Sequence, residues 1–202
     1  MKIARRLCWL PLALAPGQAA AHAPVPGIEG FYIGLLHPFS TPSQALLMVG
    51  LGLLVGGFAV NKVAPLLGAF LVFSLVGLFM GSAEWNFKTP MFVVAFLACA
   101  LAALLPGKLQ PVAIALCAIA GFLVGSTSIP DAGPVRDRVA TMSGSMVGAN
   151  VGLLYLFGVA LVINERFTWP WVRVAFRIAA AWLGAIALVM LALAYAAPPP
   201  VS

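Results

Sequence analysis

Two places in the chain hold side chains able to bind a cation. The first is the segment from Gly30 to Gly52, GFYIGLLHPFSTPSQALLMVGLG, where His37, Ser40, Thr41, Ser43, Gln44 and Met48 lie between an apolar approach and a long apolar run. The second is a stretch containing Thr141, Met142, Ser143, Ser145, Met146, Asn150 and Tyr155. Residues four apart share a helix face, so Met142, Met146 and Asn150 form one stripe. Imidazole suits nickel, copper and zinc, and thioether sulfur suits soft cations such as Cu(I). Hydroxyl and amide groups also bond helix to helix inside a membrane, and this structural use competes with the coordinating one.

A third candidate lies further upstream. If the chain is cleaved after Ala21, His22 becomes the first residue, and its free amine and ring together make a chelate. His22 and His37 would then form an outer two-histidine site. The plainer reading makes His22 a solvated terminal residue and His37 a cap or turn residue.

Enzyme chemistry finds little to work with. The chain has two histidines, both near its start, and neither a GxSxG nor an HExxH run, so neither a nucleophilic dyad nor a metalloprotease site can be assembled. Cys8, Cys99 and Cys117 show no CxxC or metal-knuckle spacing, and the last two sit in apolar runs as small buried hydrophobes. No resident cofactor is implied. A net charge of +6 raises the question of nucleic acid, but the 11 basic residues are scattered between apolar runs and no recognition module is present.

The elements that must position these residues follow from composition. With 63% hydrophobic and 8% charged residues among 202, there is too little polar surface to clothe a water-soluble globule. The expected fold is an all-α integral membrane protein in contact with a lipid bilayer. Lys2, Arg5 and Arg6, an apolar run from Leu7 to Pro16, and Ala19-Ala20-Ala21 read as a cleavable signal peptide over 1–21. Residues 22–202 then form a single six-helix transmembrane domain, with apolar stretches at 42–60, 64–82, 90–106, 111–127, 141–163 and 174–196. Residues 31–36 are too few to cross, and Pro38 and Pro42 interrupt any helix, so a short re-entrant or broken-helix segment is expected before the first span.

Charge sets the expected orientation. With the mature N-terminus outside, the inner connections carry Lys62, Lys108, Arg166, Arg173 and Arg177 against the single acid Glu165, and the outer ones carry Lys88, Arg136 and Arg138. Both termini then face the periplasm of a bacterial inner (cytoplasmic) membrane. Apart from Arg177 at the start of the last, the six stretches contain no Asp, Glu, Lys, Arg or His, which disfavours a proton pump. Gly52 and Gly56, and Gly144, Gly148 and Gly152, make smooth grooves suited either to packing within the chain or to a homo-oligomer or partner membrane protein.

The run from His37 to Gly52 resembles the H-P-x-x-G-x-D-H-x-x-x-M-x-x-x-G motif of the HupE/UreJ hydrogenase and urease accessory permeases, with His37, Pro38, Met48 and Gly52 at matching positions. The resemblance implies uptake of Ni(II), or of Co(II), through imidazole and carboxylate ligands. This chain departs from the pattern at Thr41, Ser43 and Gln44, where the family has glycine, aspartate and histidine. The candidate metal residues are His37, Ser43, Gln44 and Met48 at motif positions, together with His22, Met142 and Met146 from the residue types themselves, a ligand set altered or lost relative to the family's. A non-transporting accessory or assembly subunit is the alternative.

Overall fold

A computed structural model describes residues 29–82, 86–130 and 134–196, and among them every regular element is helical. The helices are α1 (Glu29–Ser40), α2 (Pro42–Gly56), α3 (Ala64–Met80), α4 (Lys88–Leu104), α5 (Gln110–Ser126), α6 (Val135–Arg166) and α7 (Pro170–Ala196), with one 3₁₀ turn at Val60–Lys62. The expected leader and His22 lie outside the described residues. Proline marks the helix starts: Pro42 and Pro170 open α2 and α7, and α3 and α5 carry one in their first two positions. A first-turn N–H has no intrahelical partner in any case, so proline loses nothing there.

The break between α1 and α2 is a bend of 71° at Thr41. Thr41 is extended (φ −92°, ψ 121°), the conformation that a following proline imposes on its neighbour. Pro42 thus ends one helix and begins the next. Pro38, expected to interrupt as well, does not: α1 runs through it to Ser40, where the Ser40 hydroxyl and, more distantly at 3.4 Å, the Thr41 N–H turn back to the His37 carbonyl.

Six crossings are expected from the apolar runs. Three helices, including α3 with its leading turn, α6 and α7, are long and apolar enough to cross a membrane, or four if the bent α1–α2 pair counts as one span. Helices α4 and α5 are apolar but only 17 residues each, about 26 Å at 1.5 Å per residue. At 32 residues α6 exceeds its expected length, because Arg136, Asp137 and Arg138 continue it at one end and Glu165 and Arg166 at the other. The ionisable residues of α6 thus stay in its terminal turns.

Helix α2 is the central element. Leu47, Met48, Leu51 and Val55 are completely buried, and α2 packs against α1, α4, α5, α6 and α7. Around it, α1 pairs with α6, α3 with α5, and α4 with α7. Close approach sets the first pair: a methyl group on Gly34 would collide with the Thr141 backbone, and one on Gly144 with that of Phe31. The grooves at Gly52, Gly56, Gly148 and Gly152 are likewise filled from within the chain, by Leu156, Ala160, Leu35 and Phe39. Helix α7 buries only Val172, Ala180, Gly184 and Ala187, one face, and turns Trp182 outward. An apolar exterior of this kind suits lipid.

Successive ends alternate. Asn164 of α6 donates to Gly56 O of α2 at 3.4 Å, and the Arg177 Nε–H of α7 donates to Ala103 O of α4 at 2.7 Å, so these ends lie together. Gly107, at φ +70°, turns the α4–α5 connection against the Gly57 carbonyl at the same end, a conformation that favours glycine. The start of α2, the end of α5 and the first half of α6 meet at the other end.

Candidate functional site

That second end is where polar side chains gather. The α1–α2 bend delivers His37 at the close of α1 and Ser43 and Gln44 in the first turn of α2, the last two 4% and 3% exposed. The Gln44 Nε2–H donates to Thr127 Oγ1 at 3.1 Å. Beside it, Ser128 Oγ and Ser145 Oγ lie 2.8 Å apart, joining the tail of α5 to α6.

The proton bookkeeping of this cluster is one-sided. Ser126, Thr127 and Ser128 give their hydroxyl protons to carbonyls one turn back, Ser126 to Phe122 O at 2.8 Å, Thr127 to Leu123 O and Val124 O, and Ser128 to Val124 O at 2.7 Å. A hydroxyl has one proton, so in these bonds the three oxygens can only accept from elsewhere. Ser145 is therefore the donor to Ser128. The end of α5 also carries the negative pole of its helix dipole. Thr127 and Ser128 each accept one donor, from Gln44 and Ser145, and offer no proton in return.

Two buried atoms at the bend have no hydrogen-bond partner among the described residues: Gln44 Oε1 and His37 Nδ1. A buried, unpaired amide oxygen costs free energy until something positive or proton-bearing meets it. With the neighbouring hydroxyl protons already used, the arrangement is electronegative and suits a cation. A third buried unpaired atom, Arg138 Nε, belongs to α6 about 10 Å along its axis from Ser145 and on the same face. Its charge opposes a cation entering from that side.

The other expected residues fall around this cluster. Met48 follows Gln44 by one turn of α2 and is 0% exposed; Met146 adjoins Ser145 and is 8% exposed; Met142 is partly buried one turn earlier. Asn150 does not join them: its Nδ2 turns to Ser74 Oγ at 3.3 Å on α3 and to Met146 O. Among the described residues no three of His, Cys, Asp or Glu come together as a metal-holding group. Below this level the buried side chains of α2 and α6 are apolar, namely Leu51, Leu54, Val55, Leu153 and Phe157.

The acceptors Ser126, Thr127 and Ser128, together with Ser74, are the contributors that reasoning from the sequence passed over. Three successive hydroxyl residues at the end of an apolar run were the available signal, in the segment GSTSIP.

A family model described as HupE / UreJ protein matches residues 10–193. No curated protein and no solved structure matches the chain. The match covers most of the sequence, and the chain belongs to the HupE/UreJ family.

Proposed function

We propose, from that membership, that this protein is a permease-like membrane component that takes in a transition-metal cation of the nickel and cobalt class at the α1–α2 bend. The observation that carries the reading is the buried, unpartnered Gln44 Oε1 beside hydroxyl oxygens whose protons are already committed. Gln44 and His37 would supply the principal ligand atoms, with Ser43, Met48, Met142 and Met146 bordering the entry and His22 adding a donor where the mature chain begins. Amide and hydroxyl oxygens bind nickel more weakly than imidazole and carboxylate, so low affinity and relaxed selectivity are expected.

The proposal includes the topology. Counting the 17-residue α4 and α5 as short spans, at the lower limit for a bilayer crossing, gives six. Cleavage after Ala21 and the positive end at Lys62, Lys108, Arg166, Arg173 and Arg177 would leave both termini on the periplasmic side of an inner membrane.

A second reading has an observation of its own. The apolar layer of Leu51, Leu54 and Val55 interrupts any polar route from the bend along α2, as a non-transporting accessory subunit would allow. Uptake of Ni(II), Co(II) and Cu(I) into proteoliposomes separates the two. Accumulation of Ni(II) or Co(II) above protein-free vesicles is the permease result. Failure with all three, from protein whose helicity is intact, rejects transport and leaves the accessory role.

A further inference from the structure

At the end of the bundle away from His37, the tails of α2, α4 and α6 and the start of α7 enclose a cavity of about 750 Å³. Its apolar lining includes Leu53, Leu161 and Phe176, and its charged lining is Arg173, Arg177 and Glu165. One carbonyl of each of two bordering helix tails has a side-chain donor: Asn164 Nδ2 answers Gly56 O, and Arg177 Nε answers Ala103 O. The terminal guanidinium nitrogens of Arg177 remain available, and the Arg173 side chain makes no hydrogen bond or ion pair among the described residues. The charged side chains lining the cavity are thus two guanidinium groups against one carboxylate, and the N-terminus of α7 adds the positive pole of its dipole.

The rim continues this character. Val60 and Pro106, next to or near Lys62 and Lys108, also line the cavity, and Arg166 follows Glu165. Trp169 lies on the wall and stacks with Trp171 at 5.8 Å between ring centroids, and its ring is 5.9 Å from that of Phe167. Indole clusters of this kind sit where headgroups meet acyl chains.

We propose that this cavity binds a phosphate group carried by an anionic phospholipid, with Arg173 and Arg177 holding the phosphate and Leu53, Leu161 and Phe176 receiving the upper acyl chain. Free inorganic phosphate shares the headgroup chemistry. The apolar floor favours the lipid, because a small hydrated anion gains nothing from it. Basic pockets between transmembrane helices recognise anionic headgroups in this manner.

The test uses the full chain, stripped of lipid in mild detergent, with phosphatidylglycerol and phosphatidylcholine titrated separately and binding read by native mass spectrometry. Phosphatidylglycerol should bind at least tenfold more tightly. Arg173→Gln, which removes charge without removing a protein hydrogen bond, should abolish most of that preference, and Arg136→Gln at the opposite end should leave it intact. Equal binding of the two lipids, or an unchanged preference in Arg173→Gln, would overturn the assignment. So would millimolar inorganic phosphate displacing phosphatidylglycerol completely, which would make the site one for the free anion.

Discussion

Gln44 of α2 and Thr127 at the tail of α5 are joined by a 3.1 Å hydrogen bond that uses the amide nitrogen and leaves the amide oxygen without a partner among the described residues. The Thr127 hydroxyl proton is held by its own helix, so this bond runs in one direction only. It fixes the rotamer of Gln44 and so decides which way the unpaired oxygen is presented.

Thr127→Val removes the acceptor and leaves the Gln44 amide donor buried and unpaired. We expect a loss of about 1–3 kcal/mol in stability, the usual cost of an orphaned buried polar group. Gln44→Leu combined with Thr127→Val should recover most of it, because no polar partner is then stranded. Reversible unfolding in detergent micelles checks both; additive losses in the double variant would show that the bond does not couple the two positions.

Gly34→Val places a side chain into the Thr141 backbone and should force α1 away from α6. Overpacking at a rigid contact costs about 1–3 kcal/mol or more. Gly158→Ala, which meets nothing within 4 Å, is the control and should cause no loss of stability, alanine being the better helix former by about 0.5–1 kcal/mol. Thermal unfolding followed by circular dichroism separates them, and equal midpoints would contradict the close α1–α6 contact.

Arg138→Gln removes a positive charge on the face of α6 that carries Ser145. Cation binding at the bend should strengthen several-fold at low ionic strength, and the gain should shrink as salt screens the charge over a Debye length of about 8 Å at 0.15 M. Titration of Ni(II) at two salt concentrations reads this directly. No change at low salt would place Arg138 outside the field of the site.

Much of the scaffold was legible in the residues. The apolar runs from 42 to 196 each became a helix, and Pro42 marks the sharp bend before the central one because it dictates the backbone of Thr41 as well as its own. Pro38 was misjudged: α1 continues past it to Ser40, although a proline at that position forgoes one i→i−4 hydrogen bond. Partnership between helices was not readable. Gly144 and Gly148 announced a close approach, but periodicity reports which face is smooth and not what will lie on it; the occupant is α1. The site was half legible. His37, Ser43 and Gln44 stood out beside a proline break, whereas Thr127 and Ser128 looked like ordinary span-end hydroxyls. Their role depends on a contact 83 residues away in sequence from Gln44, which no local pattern encodes.

Equilibrium binding of Ni(II) to the purified protein is the most direct test of the capture site at the bend. The wild-type chain should bind weakly, Gln44→Leu should lower the affinity at least tenfold with the fold intact, and Ser43→Asp with Gln44→His should raise it at least tenfold by supplying carboxylate and imidazole at the same positions. Affinities for Ni(II) that are the same in all three proteins would contradict the assignment of the α1–α2 bend as the place where the cation binds.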